Sequence, residues 1–103
     1  MKLTVIITRD VQERYRGFLR SVMLEVDPGV YVSPQLSHAA RERLWEVMDR
    51  WHKALSRGSI IMIWSDRKYA GNIGMKFLGI TRKEFVETDN LLLTRKDYIN
   101  MQH

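Results

Sequence analysis

Two segments with helical periodicity alternate with short β-branched segments along this chain, and that alternation restricts the folds open to it. Apolar residues recur at intervals of three and four over residues 11–26 and again over residues 40–55, which predicts two amphipathic helices. Strand-like segments occupy residues 3–8, 30–32, 60–64 and 73–80, and a last apolar segment covers residues 91–93. The order predicts a ferredoxin-like βαββαβ sandwich, an α+β fold with two helices on one face of a mainly antiparallel sheet.

Turn-forming residues mark the ends of both predicted helices. Asp27-Pro28-Gly29 ends the first, because proline and glycine break helices and favour turns. Residues 24–26 are compatible either with the last turn of this helix or with a strand that pairs with residues 30–32 as a hairpin. Ser33-Pro34 or Ser37 is expected to cap the second helix, and Arg57-Gly58 to close it.

The length of 103 residues allows one domain. We expect a core at residues 1–83 and a C-terminal strand and tail at 84–103 that contact another subunit. Two helices cover only one face of such a sheet, so we predict a homodimer that covers the other. The chain has no cysteine, which excludes disulfides, thiolate zinc sites and a cysteine nucleophile. It also has no apolar run of about 18 residues, so we expect a soluble, cytoplasmic protein without a membrane segment.

Basic residues outnumber acidic ones by 17 to 12, giving a net charge of +5, and 11 of the 17 are arginines. Such a balance indicates a polyanion partner, because guanidinium groups bind phosphate oxygens with paired hydrogen bonds. The alternative is an ordinary solvated charged surface, on which Glu13 partly neutralises Arg16 or Arg20. The densest cationic groups are Arg9, Arg14, Arg16 and Arg20 near the first helix, and Arg67-Lys68, Lys76 and Arg82-Lys83 further along.

Conventional catalytic motifs are absent, and the three histidines lie far apart. Asp10 is the one acid in the loop just beyond the first predicted strand, where enzymes often place functional residues. Its two interpretations are an N-cap of the first helix, or a magnesium ligand shared with a second Asp10 across a dimer axis. The tryptophans Trp45, Trp51 and Trp64 are expected in the core or a dimer interface rather than as platforms for stacked bases.

Four blocks of sequence resemble a known family. They are residues 8–17 (Thr-Arg-Asp-Val-Gln-Glu-Arg-Tyr-Arg-Gly), residues 24–32 (Leu-Glu-Val-Asp-Pro-Gly-Val-Tyr-Val), the helix segment with residues 43–46 (Arg-Leu-Trp-Glu), and residues 60–64 with 77–79. In this order and spacing they closely resemble CRISPR-associated protein two in its type I-E form, over residues 1–83.

The resemblance implies a ferredoxin-like homodimer that bridges two dimers of the CRISPR integrase during spacer acquisition. The dimer would support the middle of a protospacer duplex without reading its sequence, and this role needs no cofactor. Family positions for duplex contact match Arg14, Arg16, Arg82 and Lys83, and Arg9 and Arg20 would add to them. The C-terminal segment would contact a neighbouring subunit and the integrase through Leu91, Leu92 and Leu93.

The resemblance also implies an alternative function as a metal-dependent endoribonuclease or endonuclease. In the type I-E pattern an acid follows Thr8 directly, whereas here Arg9 holds that position and Asp10 comes one residue later. Such a shift can turn the side chain to the other side of an extended segment, and the arginine disfavours a metal ion electrostatically. We therefore expect a non-catalytic subunit, with Asp10 as the catalytic and Mg²⁺-binding residue of the nuclease alternative.

Overall fold

A computed structural model describes residues 3–79, 85–88 and 91–94, the last two ranges as backbone only. Seven strands, two α-helices and a short 3₁₀ helix follow one another along the chain. In order they are β1 (Thr4–Arg9), α1 (Glu13–Val22), β2 (Leu24–Asp27), β3 (Val30–Ser33), α2 (His38–Ala54), β4 (Ser59–Ser65), the 3₁₀ helix (Ala70–Asn72), β5 (Ile73–Leu78), β6 (Phe85–Thr88) and β7 (Leu91–Thr94). None of the described helices is long and apolar enough to cross a membrane.

The main sheet has the strand order β2-β3-β1-β4-β5, and every neighbouring pair is antiparallel. The first four strands and the two helices therefore form a ferredoxin-like α+β arrangement, which confirms the predicted fold class. β5 extends the sheet beyond β4, and β6 and β7 pair with each other as a separate hairpin. Arg82 and Lys83 lie outside the described residues, and Leu91–Leu93 are described only as backbone of β7.

Residues 24–26 form a strand, so the hairpin alternative is correct and the extension of the first helix to Val26 is wrong. α1 ends at Val22, and β2 pairs Leu24 with Val32 and Glu25 with Tyr31. The turn back into β3 depends on Gly29, whose φ of +79° suits glycine. An added Cβ there would lie only 2.8 Å from the Thr8 carbonyl oxygen. The hairpin therefore packs closely on the end of β1.

The second helix begins at one of the two predicted N-caps. Ser37 is its N-cap, and the hydroxyl accepts a hydrogen bond of 3.1 Å from the Ala40 amide. The alternative cap at Ser33-Pro34 is wrong, because Ser33 is the last residue of β3. Gly58 follows α2 with a φ of +77°, and a Cβ there would collide with the backbone oxygen of Asp10. The loop after α2 is thus pressed against the loop after β1.

The core lies between the two helices and one face of the sheet. Buried side chains alternate along the strands and continue onto both helices; they are Ile6, Tyr31, Ile60, Met62, Trp64, Tyr15, Leu19, Met23, Leu44 and Met48. The alternate positions of the same strands point to the opposite face, where Val5, Ile7, Ile61, Ile63 and Met75 are only half-buried. Within the described residues this open face is apolar across the middle of the sheet.

Candidate nucleic-acid interface

The predicted site residues near the first helix occupy two turns of α1 and the loop before it. Arg14, Arg16 and Arg20 lie on α1, while Arg9 ends β1 and is exposed. The helix is capped by Gln12, which makes no side-chain capping bond. The prediction that Asp10 is the N-cap is therefore wrong. The chain turns before the helix starts, and Asp10 makes that turn with a left-handed φ of +58°.

Asp10 is an exposed carboxylate whose ion-pair partner is a cation. Its Oδ1 lies 3.6 Å from Nη2 of Arg57, which also is exposed. Nowhere in the described ranges do three His, Cys, Asp or Glu side chains cluster as metal ligands. The described residues of one chain thus do not form a magnesium site around Asp10, and a site shared by two copies of Asp10 stays a prediction.

Arg14 is an exposed cation held by an aromatic ring. Its guanidinium carbon lies 4.6 Å from the ring centroid of Trp51 on α2. Trp51 in turn contacts Tyr15 and Phe18 edge to face, with centroids 5.2 and 5.4 Å away. This confirms that Trp51 packs on the core, and it adds a role the sequence did not predict. The stack orients Arg14, and no carboxylate among the described residues pairs with it.

Arg16 and Arg20 belong instead to a four-residue ion-pair network, which we call the α1–β2 network: Glu13, Arg16, Arg20 and Glu25. Arg20 lies 2.8 Å from Glu13 and 3.6 Å from Glu25, and Arg16 lies 4.0 Å from Glu13 and 3.6 Å from Glu25. The expected neutralisation by Glu13 is confirmed. Glu25 was missed, because only its place in β2 brings it to α1. Two acids and two bases cancel, so this pair of arginines adds no net charge locally.

A buried tyrosine lies beneath the network. The Tyr31 hydroxyl has no partner with hydrogen-bond geometry, but it lies close enough to Glu25 and Arg16 to influence both. It is the main cause that lowers the pKa of Glu25 below its usual value, followed by the hydrogen bond from the Gly29 amide. The same hydroxyl raises the pKa of Arg16, and the hydrogen bond with Glu13 raises that of Arg20. All three groups are thus held in their charged forms.

The second predicted cationic group also contains both ion-paired and unpaired cations. Lys76 pairs with Glu42 of α2 at 3.0 Å, and this contact lowers the pKa of Glu42. Arg67 and Lys68 are exposed in the turn after β4. Arg43 on α2 is also exposed; sequence reasoning did not single it out as a cation, since α2 was analysed for its apolar stripe. Among the described residues, exposed cations with no carboxylate at ion-pair distance are Arg9, Arg14, Arg43, Arg67 and Lys68.

A comparison with protein families adds independent support for the resemblance seen in the sequence. A family described as CRISPR-associated protein (Cas_Cas2CT1978) has a model that matches residues 3–93. The match covers almost the whole chain, from β1 to the third residue of β7. A match over so much of the chain shows family membership. The protein therefore belongs to the Cas_Cas2CT1978 family of CRISPR-associated proteins.

Proposed function

We propose that this protein is a non-catalytic, sequence-independent duplex-DNA-binding subunit for CRISPR spacer acquisition, of the type I-E form. It acts in the cytoplasm as a homodimer that bridges integrase dimers and supports the middle of a protospacer. Its family gives the CRISPR context. The observation that carries DNA binding is the state of Arg14, an exposed cation oriented by Trp51 and unpaired with any described carboxylate.

An arginine in this state is well prepared to bind phosphate. Stacking on a ring occupies the face of the guanidinium and leaves its edge, which carries the N–H donors, free for an anion. The stack also limits the side chain before DNA arrives, which lowers the entropy cost of binding. Arg9 adds a second unpaired cation at the end of β1. Both bind the DNA backbone rather than base edges, so the interaction does not depend on sequence.

The open face of the sheet supports the homodimer. Val5, Ile7, Ile61, Ile63 and Met75 present apolar surface that a second copy would cover. A two-fold axis places two copies of every surface cation on the assembly, which suits an elongated ligand such as a duplex. The β6–β7 hairpin, with Leu91–Leu93, is the proposed contact with the integrase. Arg82 and Lys83 are proposed as further phosphate contacts.

The decisive experiment compares two arginine removals that change the net charge equally. Arg14→Ala removes the stacked cation, whereas Arg50→Ala removes an exposed arginine of α2 that pairs with Glu46 at 3.5 Å. We expect Arg14→Ala to weaken binding of unrelated duplexes to the same degree. It should also reduce the slope of log affinity against log salt by about 0.9 for each phosphate that is no longer neutralised. Fluorescence anisotropy at several salt concentrations measures both. Equal effects of the two substitutions would contradict the role of Arg14 in DNA binding.

The nuclease alternative is tested with Asp10→Asn. In the proposed function Asp10 is not needed, so the variant should keep duplex binding and support spacer acquisition in cells. The wild type and the variant are also incubated with RNA and duplex DNA in the presence of Mg²⁺. Loss of spacer acquisition with the dimer and DNA binding intact would favour the nuclease. Cleavage by the wild type that the substitution abolishes would favour it as well.

A further inference from the structure

We propose that Glu13 is a positioning residue that withholds Arg16 and Arg20 from phosphate, so that a duplex must displace it to engage them. The proposal rests on the proposed DNA-binding function. It concerns only the α1–β2 network, and it gives the arginines of α1 two different roles. Arg14 is free to bind from the start, while the other two become available only when Glu13 gives way.

The geometry of the network underlies this difference. Each arginine directs one terminal nitrogen to Glu13 and the other to Glu25. The shortest of the four contacts, 2.8 Å, is the hydrogen bond that Arg20 donates to Glu13. A phosphate that approaches from solvent therefore meets guanidinium groups whose terminal nitrogens already have carboxylate partners on two sides. It must compete with a carboxylate of the protein itself.

The two glutamates differ in how firmly they are held. The side chain of Glu25 is only 22% exposed, and it accepts a 3.2 Å hydrogen bond from the Gly29 amide beside the Tyr31 hydroxyl. The side chain of Glu13 is 71% exposed, and its partners among the described residues are the two arginines alone. An incoming phosphate thus replaces Glu13, because Glu25 is fixed to the β2–β3 turn and Glu13 is not.

The chain offers a closely matched control. Glu46 on α2 is also 71% exposed, and it pairs with an exposed arginine, Arg50, at 3.5 Å. Glu13→Gln and Glu46→Gln each raise the net charge by one and remove one acid from a helix surface. Any general gain in attraction to DNA is therefore common to both. The difference between them reports the contact of Glu13 with Arg16 and Arg20.

The experiment measures duplex affinity for both variants in two backgrounds, the wild type and Arg16→Ala/Arg20→Ala. We expect Glu13→Gln to bind about two- to fivefold more tightly than Glu46→Gln at low salt, the range that breaking exposed ion pairs implies. The advantage should shrink as salt screens the pairs, and it should vanish when the two arginines are absent. Far-UV circular dichroism confirms that each variant is folded, and Glu13→Ala repeats the comparison without an amide.

Three results would overturn the proposal. Equal affinities of Glu13→Gln and Glu46→Gln would show that Glu13 does not restrain the arginines. An advantage that persists in the Arg16→Ala/Arg20→Ala background would assign it to another contact. A wild type that binds no duplex at low salt would overturn this proposal together with the proposed function. By contrast, an unchanged affinity of Arg14→Ala with the expected gain from Glu13→Gln would reject only the role of Arg14.

Discussion

The two faces of the sheet are both apolar, yet only one of them is covered by the described part of the chain. On the covered face Ile6, Met62 and Ile60 are fully buried beneath α1 and α2. On the open face Ile7 and Ile63, their neighbours in sequence, keep part of their surface accessible. The same two strands therefore supply both faces, and what differs is whether another element lies above them.

The comparison shows why a continuous apolar strand is ambiguous. A strand that alternates polar and apolar residues has one solvated face, whereas one with apolar residues at every position needs cover on both. The central residues of β1 (residues 5–7) and of β4 (residues 60–64) belong to the second kind. Covering elements can come from the same chain or from another copy, and the strand sequence is the same in either case.

An aspartate on the open face should show whether a second copy of the chain covers that face. Ile63→Asp would place an unpaired charge in the proposed dimer interface, at a cost of about 3–5 kcal/mol per chain to association. The covered face is untouched, so the variant should remain folded but run as a single chain of 12.2 kDa in light scattering. Ala39→Asp, which adds the same charge at an exposed position of α2, is the control and should leave the dimer intact.

A dimer that survives Ile63→Asp would mean that the open face is not the interface between copies. A wild type that is already a single chain at micromolar concentration would mean that no homodimer forms through any surface. Either result would contradict the proposal that a second copy covers the open face as the helices cover the other face.

A truncation on the covered face should reduce the stability of the chain itself. Met62 is fully buried, and Met62→Ala should lower the free energy of unfolding by about 2–5 kcal/mol, as is usual for buried large side chains. Met75→Ala makes the same truncation on the open face, where Met75 pairs with Ile63. Its loss of free energy of unfolding should be smaller, and it should grow with protein concentration if a second copy covers that face. Urea unfolding at two concentrations measures both, and identical behaviour would contradict the distinction.

Lowering the pH should reduce the stability of the folded protein by a smaller amount, through Glu25 on the covered side of the sheet. The pKa of Glu25 is lowered in the folded protein, so its contribution to stability is complete above its usual pKa near 4.5. That contribution is lost as the pH falls through the lowered value. Glu25→Gln should therefore be less stable than the wild type at neutral pH, and its stability should change less between about pH 5 and pH 3. Thermal unfolding across this range measures the difference, and parallel curves would contradict it.

Caps and turns were predictable where the chemistry is local, and uncertain where it is not. The N-cap Ser37 needs only an amide three residues away, so its residue type and position were enough. The end of α1 was ambiguous because residues 24–26 suit both a helix and a strand. Pairing with β3 decided it, since Glu25 and Tyr31 become neighbours only in the folded hairpin.

The arginines of the candidate site were predictable from the sequence, but the contacts that each of them makes were not. Arg14, Arg16 and Arg20 were identified from the density of cations near the first predicted helix, and the last two also from their spacing on one face of it. Nothing in that spacing shows that Trp51, 37 positions after Arg14, stacks on its guanidinium, or that Glu25 pairs with the other two. The N-cap interpretation of Asp10 was wrong for a related reason. The chain makes a left-handed turn at Asp10, against the loop of Gly58.

The sequence alone is enough to place both helices and strands β1, β3, β4 and β5 in order, to identify the apolar faces of both helices and to show the excess of positive charge. These properties depend on residues within a few positions of each other, where period and residue type express them directly. Which arginines are free depends on the tertiary structure, because an ion pair forms between atoms that are a few ångströms apart in space. Arg14 and Arg16 are two residues apart in the chain, yet one rests on an aromatic ring and the other lies between two carboxylates.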